Sequence, residues 1–173
     1  MRAITSLACA AAIALAGTCS AWAADKAKNW TAPPHKMLAQ SLSDQIMAEH
    51  PELISVTFHG VPPGMSKVYT MFAGSFPDRI GNADDPDDIE VIAKGVTIVD
   101  PRWNKNDPVR KFVMMMPLRD AAGGHIGLLV LAYKRPQGDA RTENDFFVAA
   151  SKLRDSLQPK IKSYAELFQP VAQ

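Results

Sequence analysis

Two apolar runs joined by a short polar turn stand out between residues 111 and 134. KFVMMMPLR precedes the turn DAAGG, and HIGLLVLAYK follows it. Strand-length apolar runs joined by a short connection that contains Asp and Gly predict a β-hairpin. Residues 128–131 are apolar on both alternating faces of the second strand. We therefore expect both sides of this part of the sheet to be covered.

A second strand pattern lies at residues 53–60. Ile54, Val56 and Phe58 alternate with Ser55, Thr57 and His59. Side chains of a strand point to opposite faces in turn, so this pattern predicts one buried apolar face and one polar face. Shorter strand patterns occur at residues 67–74 and 96–99.

Helical spacing begins at His35 and continues to Glu49. Leu38, Leu42 and Ile46 recur at every fourth position. This stripe predicts an amphipathic helix near the N-terminus.

A short middle helix is predicted within residues 82–95 by its end signals. Asp85 stands where an N-cap belongs, Pro86 takes the first helical position, and Gly95 follows the last turn. The acidic residues around Asp85 suit the positive end of the helix dipole. Their spacing does not fit an EF-hand loop, so we interpret them as capping residues and not as a calcium site.

The last helix is predicted to begin at Thr142, with Asp145 three residues later in capping-box spacing. We expect Pro159 to interrupt this helix, because a proline ring clashes with the carbonyl four residues before it. The apolar stripe consists of Phe146, Ala150, Leu153, Leu157, Ile161 and Tyr164. Taken together, the elements predict an α+β fold in which a central antiparallel sheet of about five strands is combined with an N-terminal, a middle and a C-terminal helix.

The first 23 residues have the composition of a signal peptide. Arg2 precedes an apolar run at residues 8–15, and residues 21–23 (AWA) fit the small-x-small cleavage rule. The run is short for a spanning anchor, which needs roughly 20 residues. We expect cleavage after Ala23 and a periplasmic protein, with residues 24–34 as a flexible lead and residues 35–173 as one domain.

The amino-acid composition argues against several classes of function. Both cysteines, Cys9 and Cys19, lie in the expected signal peptide, so the mature chain would have no disulfide, no thiolate nucleophile and no CxxCH haem attachment. Without Arg2, 18 of the 19 basic residues remain against 18 acidic ones. This balance gives no argument for nucleic acid as a partner.

Three short motifs carry a family resemblance. Residues 116–120 (MPLRD) and 124–127 (GHIG) form the hairpin turn, and residues 80–85 (IGNADD) precede the middle helix. With the order of elements over residues 35–134, they resemble the extracytoplasmic Cache sensor domains, also called PDC domains. The resemblance implies a PAS-like sheet, with a long N-terminal helix on one face and a small-ligand pocket on the other. Cache domains usually sit between transmembrane helices, so a free-standing copy would need a membrane sensor, chemoreceptor or transporter as its partner.

A ligand pocket needs only a few polar groups among apolar walls. An arginine can hold a carboxylate with two parallel hydrogen bonds, and an aromatic ring can cover an apolar or cationic portion. Met114 and Met116 point the same way on their strand and suit a pocket or a core; a Cu(I) site would need a further ligand such as His125. The predicted ligand-binding residues are Tyr69, Arg79, Trp103, Arg110, Met114 and Met116.

The leading hypothesis from the sequence is a periplasmic domain that binds a small carboxylate or amine and presents it to a membrane partner. The alternative is an interaction module without a ligand, which pairs as a homodimer through its terminal helices. No cofactor or metal is predicted. Catalysis ranks lowest, because the chain lacks the G-x-S-x-G nucleophile elbow and because a lone strand histidine such as His59 is more often a hydrogen-bonded surface or core residue.

Overall fold

The computed structural model describes residues 27–102 and 109–171. The predicted signal peptide and Trp103 lie outside these ranges. The described helices and strands are α1 (Leu38–Glu49), β1 (Leu53–Gly60), β2 (Thr70–Gly74), α2 (Pro86–Lys94), β3 (Ile98–Pro101), β4 (Lys111–Arg119), β5 (His125–Lys134) and α3 (Glu143–Leu157), with 3-10 turns at Pro77–Arg79, Gln158–Lys160 and Tyr164–Phe168.

The five strands form one antiparallel sheet in the order β2-β1-β5-β4-β3. This confirms the predicted fold class, α+β with a PAS-like central sheet. The hairpin of β4 and β5 lies in the middle of the sheet, as its apolar character on both faces requires. The N-terminal helix has 12 residues and the C-terminal helix has 15, so the expected long N-terminal helix is the shorter of the two.

The main core lies between the sheet and the two helices α1 and α3. Phe58, Met114 and Leu131 point from the sheet into this core and are fully buried. The ring of Phe112 on β4 stacks on that of Phe146 on α3, with centroids 4.7 Å apart and an angle of 18° between the planes. The C-terminal helix therefore packs on the sheet of its own chain.

The opposite face of the sheet is covered by α2. Val91 of α2 packs with Val113, Met115 and Leu128 in a second, smaller apolar cluster. The prediction that both faces of the hairpin are covered is thus confirmed. The polar side of β1 faces this layer and is also buried, so the expected polar face is not exposed to solvent.

The predicted helix ends agree closely with the structure. Asp85 is the N-cap of α2 and Gly95 its C-cap, while Thr142 is the N-cap of α3. The α-helical geometry of α3 ends at Leu157, and Pro159 lies in the 3-10 turn that follows. These elements end where their local chemistry predicts, because caps satisfy the unpaired backbone groups of a helix.

The described part of the predicted lead, residues 27–34, contacts the rest of the fold. The Asn29 amide donates to the Gly81 carbonyl at 2.8 Å, and the Trp30 ring packs edge-on against Phe168 with centroids 6.1 Å apart. None of the helices in the described ranges is long and apolar enough to cross a membrane.

Candidate functional site

The polar face of β1 places a hydroxyl and an imidazole side by side. Thr57 and His59 are two residues apart on the strand and therefore share a face. They are 7% and 8% exposed beneath α2. Strand β5 approaches closely here, because a Cβ atom at Gly127 would lie 2.7 Å from the His59 carbonyl oxygen. This close approach gives a physical reason for glycine in the GHIG motif.

The start of α2 brings two carboxylates to the same place. The Asp84 amide donates to the Tyr69 carbonyl at 3.1 Å, which fixes the backbone just before the helix. Asp88 lies in the first helical turn, and its Oδ2 accepts a hydrogen bond from the Asp85 amide at 3.0 Å. The side chain of Asp84 is fully buried and that of Asp88 is nearly so.

These four side chains, Thr57, His59, Asp84 and Asp88, form one cluster, which we call the His59 cluster. His59 Nδ1 lies 2.7 Å from Asp84 Oδ1 and 4.0 Å from Asp88 Oδ2. His59 Nε2 lies 2.7 Å from Thr57 Oγ1. Both ring nitrogens therefore have a polar partner.

One oxygen of the cluster has no partner. Asp84 Oδ2 is buried and makes no hydrogen bond in the described structure. Buried polar atoms are nearly always hydrogen-bonded, since leaving one without a partner costs free energy. Burial also raises the pKa of Asp88, although His59 and the Asp85 amide act in the opposite direction. Negative charge is thus concentrated in a place that solvates it poorly.

Two kinds of chemistry fit this arrangement. Hydroxyl, imidazole and carboxylate stand in the order of a catalytic triad, with Thr57 in the place of the serine. The Thr57 hydroxyl is buried under α2, however, and does not face solvent. His59, Asp84 and Asp88 also offer ligand atoms that all lie within 4.8 Å of one another, as a bound cation would require.

Among the predicted ligand-binding residues, Tyr69 comes nearest to the His59 cluster. It is half-buried, and its carbonyl accepts from the Asp84 amide. Arg79 is exposed, with its guanidinium 4.6 Å above the Phe76 ring. Arg110 is exposed at the start of β4, in a groove of about 420 Å³ shared with Lys134 and Arg135.

Met114 and Met116 lie elsewhere. Both are fully buried in the main core between the sheet and α1 and α3, and Met115 faces the α2 side. Trp103 lies outside the described residues. The structure therefore does not bring the five described members of the predicted set together in one pocket.

The sequence gives no direct link between His59 and Asp84. The two are 25 positions apart, and the capping pattern accounts for the acidic stretch as a whole. One signal in the sequence is that only Asp85 is needed as the N-cap, whereas Asp84 stands one position before it.

A second groove, of about 340 Å³, lies between α3 and the sheet. Like the groove beside Arg110, it contains no residue of the His59 cluster. It is lined by His50, Glu52, Tyr133, Ala149, Lys152, Leu153 and Ser156.

Comparison with known proteins assigns no family. No protein-family model matches the chain, and no curated protein matches it. Among solved structures, the chain is similar to a type II free methionine-R-sulfoxide reductase from Thermoplasma acidophilum, at 15% identity and a TM-score of 0.45, over 72% of this chain and 93% of that one.

Two further structures are similar at the same level. One is the GAF domain of an Acinetobacter phosphoenolpyruvate-protein phosphotransferase, at 14% identity and a TM-score of 0.44, over 72% of this chain and 85% of that one. The other is a blue-light-activated histidine kinase from Erythrobacter litoralis, at 14% identity and a TM-score of 0.42, over 68% of this chain and 46% of that one. None of these likenesses assigns an activity to this chain.

Proposed function

We propose that this chain is a sensor-like domain that binds a small ligand at the His59 cluster. The observation that carries the proposal is the buried Asp84 carboxylate, whose Oδ2 has no partner in the described structure. A native fold tolerates such an atom where a bound group supplies the missing interaction. The cluster also lies on the sheet face opposite α1 and α3, where the Cache resemblance implies a ligand.

The charge of the cluster selects the class of ligand. Asp84 and Asp88 supply two carboxylates, and no described lysine or arginine forms an ion pair with either of them. A carboxylate ligand would meet like charge in a poorly solvated site, whereas a small cation would be attracted. Of the two classes expected from the sequence, an amine or another small cation therefore fits better than a carboxylate.

The position of α2 would allow ligand binding to change how this helix packs on the sheet. Asp88 belongs to α2, whereas His59 belongs to β1, so a ligand that contacts both ties the helix to the sheet. A ligand shifts a conformational equilibrium only by its difference in affinity for the two states. The predicted signal peptide and the Cache resemblance support a periplasmic setting, in which a membrane sensor, chemoreceptor or transporter would read the position of α2.

A thermal-shift screen of organic amines, amino acids and carboxylic acids tests this proposal. A ligand that binds only the folded state raises the melting temperature by mass action. We expect a rise with amines that Asp84→Asn abolishes and that Asp87→Asn, a change at an exposed neighbour, leaves intact. A response confined to acids and lost in Arg110→Ala would instead place the ligand in the groove beside β4.

A second candidate function is pairing without a ligand. Phe147 and Val148 on α3 are adjacent and 43% and 39% exposed, and neighbouring exposed apolar side chains can form part of an interaction surface. Analytical ultracentrifugation over a range of concentrations measures such pairing. A flat ligand screen, together with a dimer that Phe147→Asp dissociates, would favour this function over ligand binding.

A further inference from the structure

We infer that the His59 cluster binds a divalent transition-metal ion through His59 Nδ1 and the carboxylates of Asp84 and Asp88. The inference rests on the proposed ligand-binding function of the same cluster and names its ligand. The sequence alone predicts only a capping role for these acidic residues.

The spacing of the donor atoms suits a single ion. His59 Nδ1 lies 2.7 Å from one carboxylate oxygen and 4.0 Å from the other, and all three donors lie within 4.8 Å of one another. Metal bonds to nitrogen and oxygen of about 2.0–2.2 Å place neighbouring donors roughly 3–4 Å apart. An organic ammonium needs longer contacts of about 2.8 Å and space for its carbon atoms. Small rotations of the side chains would bring all three donors around one ion.

The types of donor narrow the choice of metal. Mg²⁺ and Ca²⁺ prefer sites made only of oxygen, and Cu(I) prefers sulfur, whereas imidazole with carboxylates suits Zn²⁺, Mn²⁺, Co²⁺ or Ni²⁺. Three protein ligands leave positions for water or for a small molecule.

Two further contacts support the site. A metal-bound histidine usually donates its other ring N–H to an oxygen acceptor, and His59 Nε2 already lies 2.7 Å from Thr57 Oγ1. The Thr57 hydroxyl can rotate to accept this bond when Nδ1 binds the ion. The unpartnered Asp84 Oδ2 is buried and belongs to the carboxylate whose Oδ1 lies 2.7 Å from His59 Nδ1, so a cation bound to this carboxylate would give it a partner.

Isothermal titration calorimetry with Zn²⁺ and Mn²⁺ tests the inference. The tag-free full chain is first stripped of metal with a chelator, and equilibrium dialysis then gives the number of ions bound per chain. We expect one ion per chain, with Mg²⁺ and Ca²⁺ binding at least tenfold more weakly. Asp84→Asn and His59→Gln should each weaken binding by at least tenfold, while Asp87→Asn and His125→Gln should leave it unchanged. Thr57→Val should weaken it by about tenfold or more, because metal-bound imidazoles lose affinity without their second hydrogen bond.

Circular dichroism confirms the fold of each variant, and His59→Gln carries the test if Asp84→Asn does not fold. Absence of Zn²⁺ and Mn²⁺ binding, or binding that survives both variants, overturns the inference. If an amine still raises the melting temperature in that case, and the rise depends on Asp84, the proposed ligand-binding function stands without a metal. If metals and amines both fail, the proposed function fails as well.

Discussion

A Cβ atom added to Gly81 would lie 2.2 Å from the carbonyl oxygen of Trp30, so the two backbones are in direct contact. The Asn29 amide donates to the Gly81 carbonyl at the same place. Gly81 belongs to the IGNADD motif that carries part of the Cache resemblance. Its physical role is to let the segment before α1 lie against the loop that leads to α2 and the His59 cluster.

Gly81→Ala should therefore destabilise the fold strongly. The residue has a φ of 91°, which costs an L-amino acid about 1–2 kcal/mol, and the contact with Trp30 forces a backbone shift in addition. We expect the free energy of unfolding to fall by about 2 kcal/mol or more, measured by urea denaturation.

Gly138→Ala is the matched control for this change. Gly138 has a similar φ of 83°, but a Cβ atom there would meet nothing within 4 Å. It should show the conformational cost of about 1–2 kcal/mol alone. Equal losses in the two variants would contradict the role assigned to the Trp30 contact.

Phe146→Ala should loosen α3 from the sheet. The ring stacks on Phe112 and lies 4.4 Å from the Arg141 guanidinium, so its removal leaves a cavity in the main core. Loss of a buried phenylalanine costs about 3–5 kcal/mol. Phe147→Ala, at the neighbouring and partly exposed position, should cost much less. Chemical denaturation of both variants compares them, and similar losses would mean that the stack contributes little.

Thr142→Ala should remove the cap of α3. The Thr142 side chain accepts from the Asp145 amide, and the Asp145 carboxylate accepts from the Thr142 amide at 2.7 Å. Loss of such a cap costs about 1 kcal/mol. The Thr142 hydroxyl also donates to Asp145 Oδ2 at 2.7 Å, and this bond, followed by the one from the Thr142 amide, lowers the pKa of Asp145. Their contribution is therefore present above the ordinary aspartate pKa of about 4 and is lost as the pH falls through the lower folded value.

Urea denaturation at a series of pH values down to the acid range measures this difference. The gap in stability between wild type and Thr142→Ala should narrow as the pH falls, because the bond from the Thr142 hydroxyl to the Asp145 carboxylate weakens when Asp145 is protonated. A gap that stays constant through the acid range would mean that the capping box is not coupled to the ionisation of Asp145.

Local chemistry explains how far the fold could be predicted from the sequence. The ends of α2 and α3 depend on residues within one helical turn, such as Asp85 and Thr142, and their positions follow from the sequence alone. Strand β1 follows from its own alternation from Ser55 onwards, but the prediction that Ile54 shares a face with Val56 and Phe58 is wrong, because a bulge between Leu53 and Ser55 places Ile54 against the α2 cluster. The coverage of the polar face depends on α2, which lies about 30 residues further along the chain.

The candidate site could not be predicted for the same physical reason. Its geometry depends on where the turn before α2 meets β1, and this is set by the Tyr69 carbonyl and the pairing of β2. The spacing of Met114 and Met116 predicts that they lie on the same face of the sheet. It does not predict whether α1 and α3 pack on that face or on the other. Neither fact is encoded within a single element.

Tyr164→Phe should make the fold less sensitive to alkaline pH. Burial raises the pKa of Tyr164, and its Oη donates to the Val61 carbonyl at 2.7 Å. At neutral pH the change should cost about 1 kcal/mol, because a hydrogen bond is lost and the carbonyl is left without this donor. Above about pH 10 the unfolded tyrosine releases its proton while the folded one keeps it, so the stability of the wild type falls as the pH rises. The variant lacks this effect at position 164, and the two stabilities should converge between about pH 9 and pH 11 in urea denaturation. Parallel curves over that range would show that the Tyr164 hydroxyl ionises as easily in the fold as in the unfolded chain.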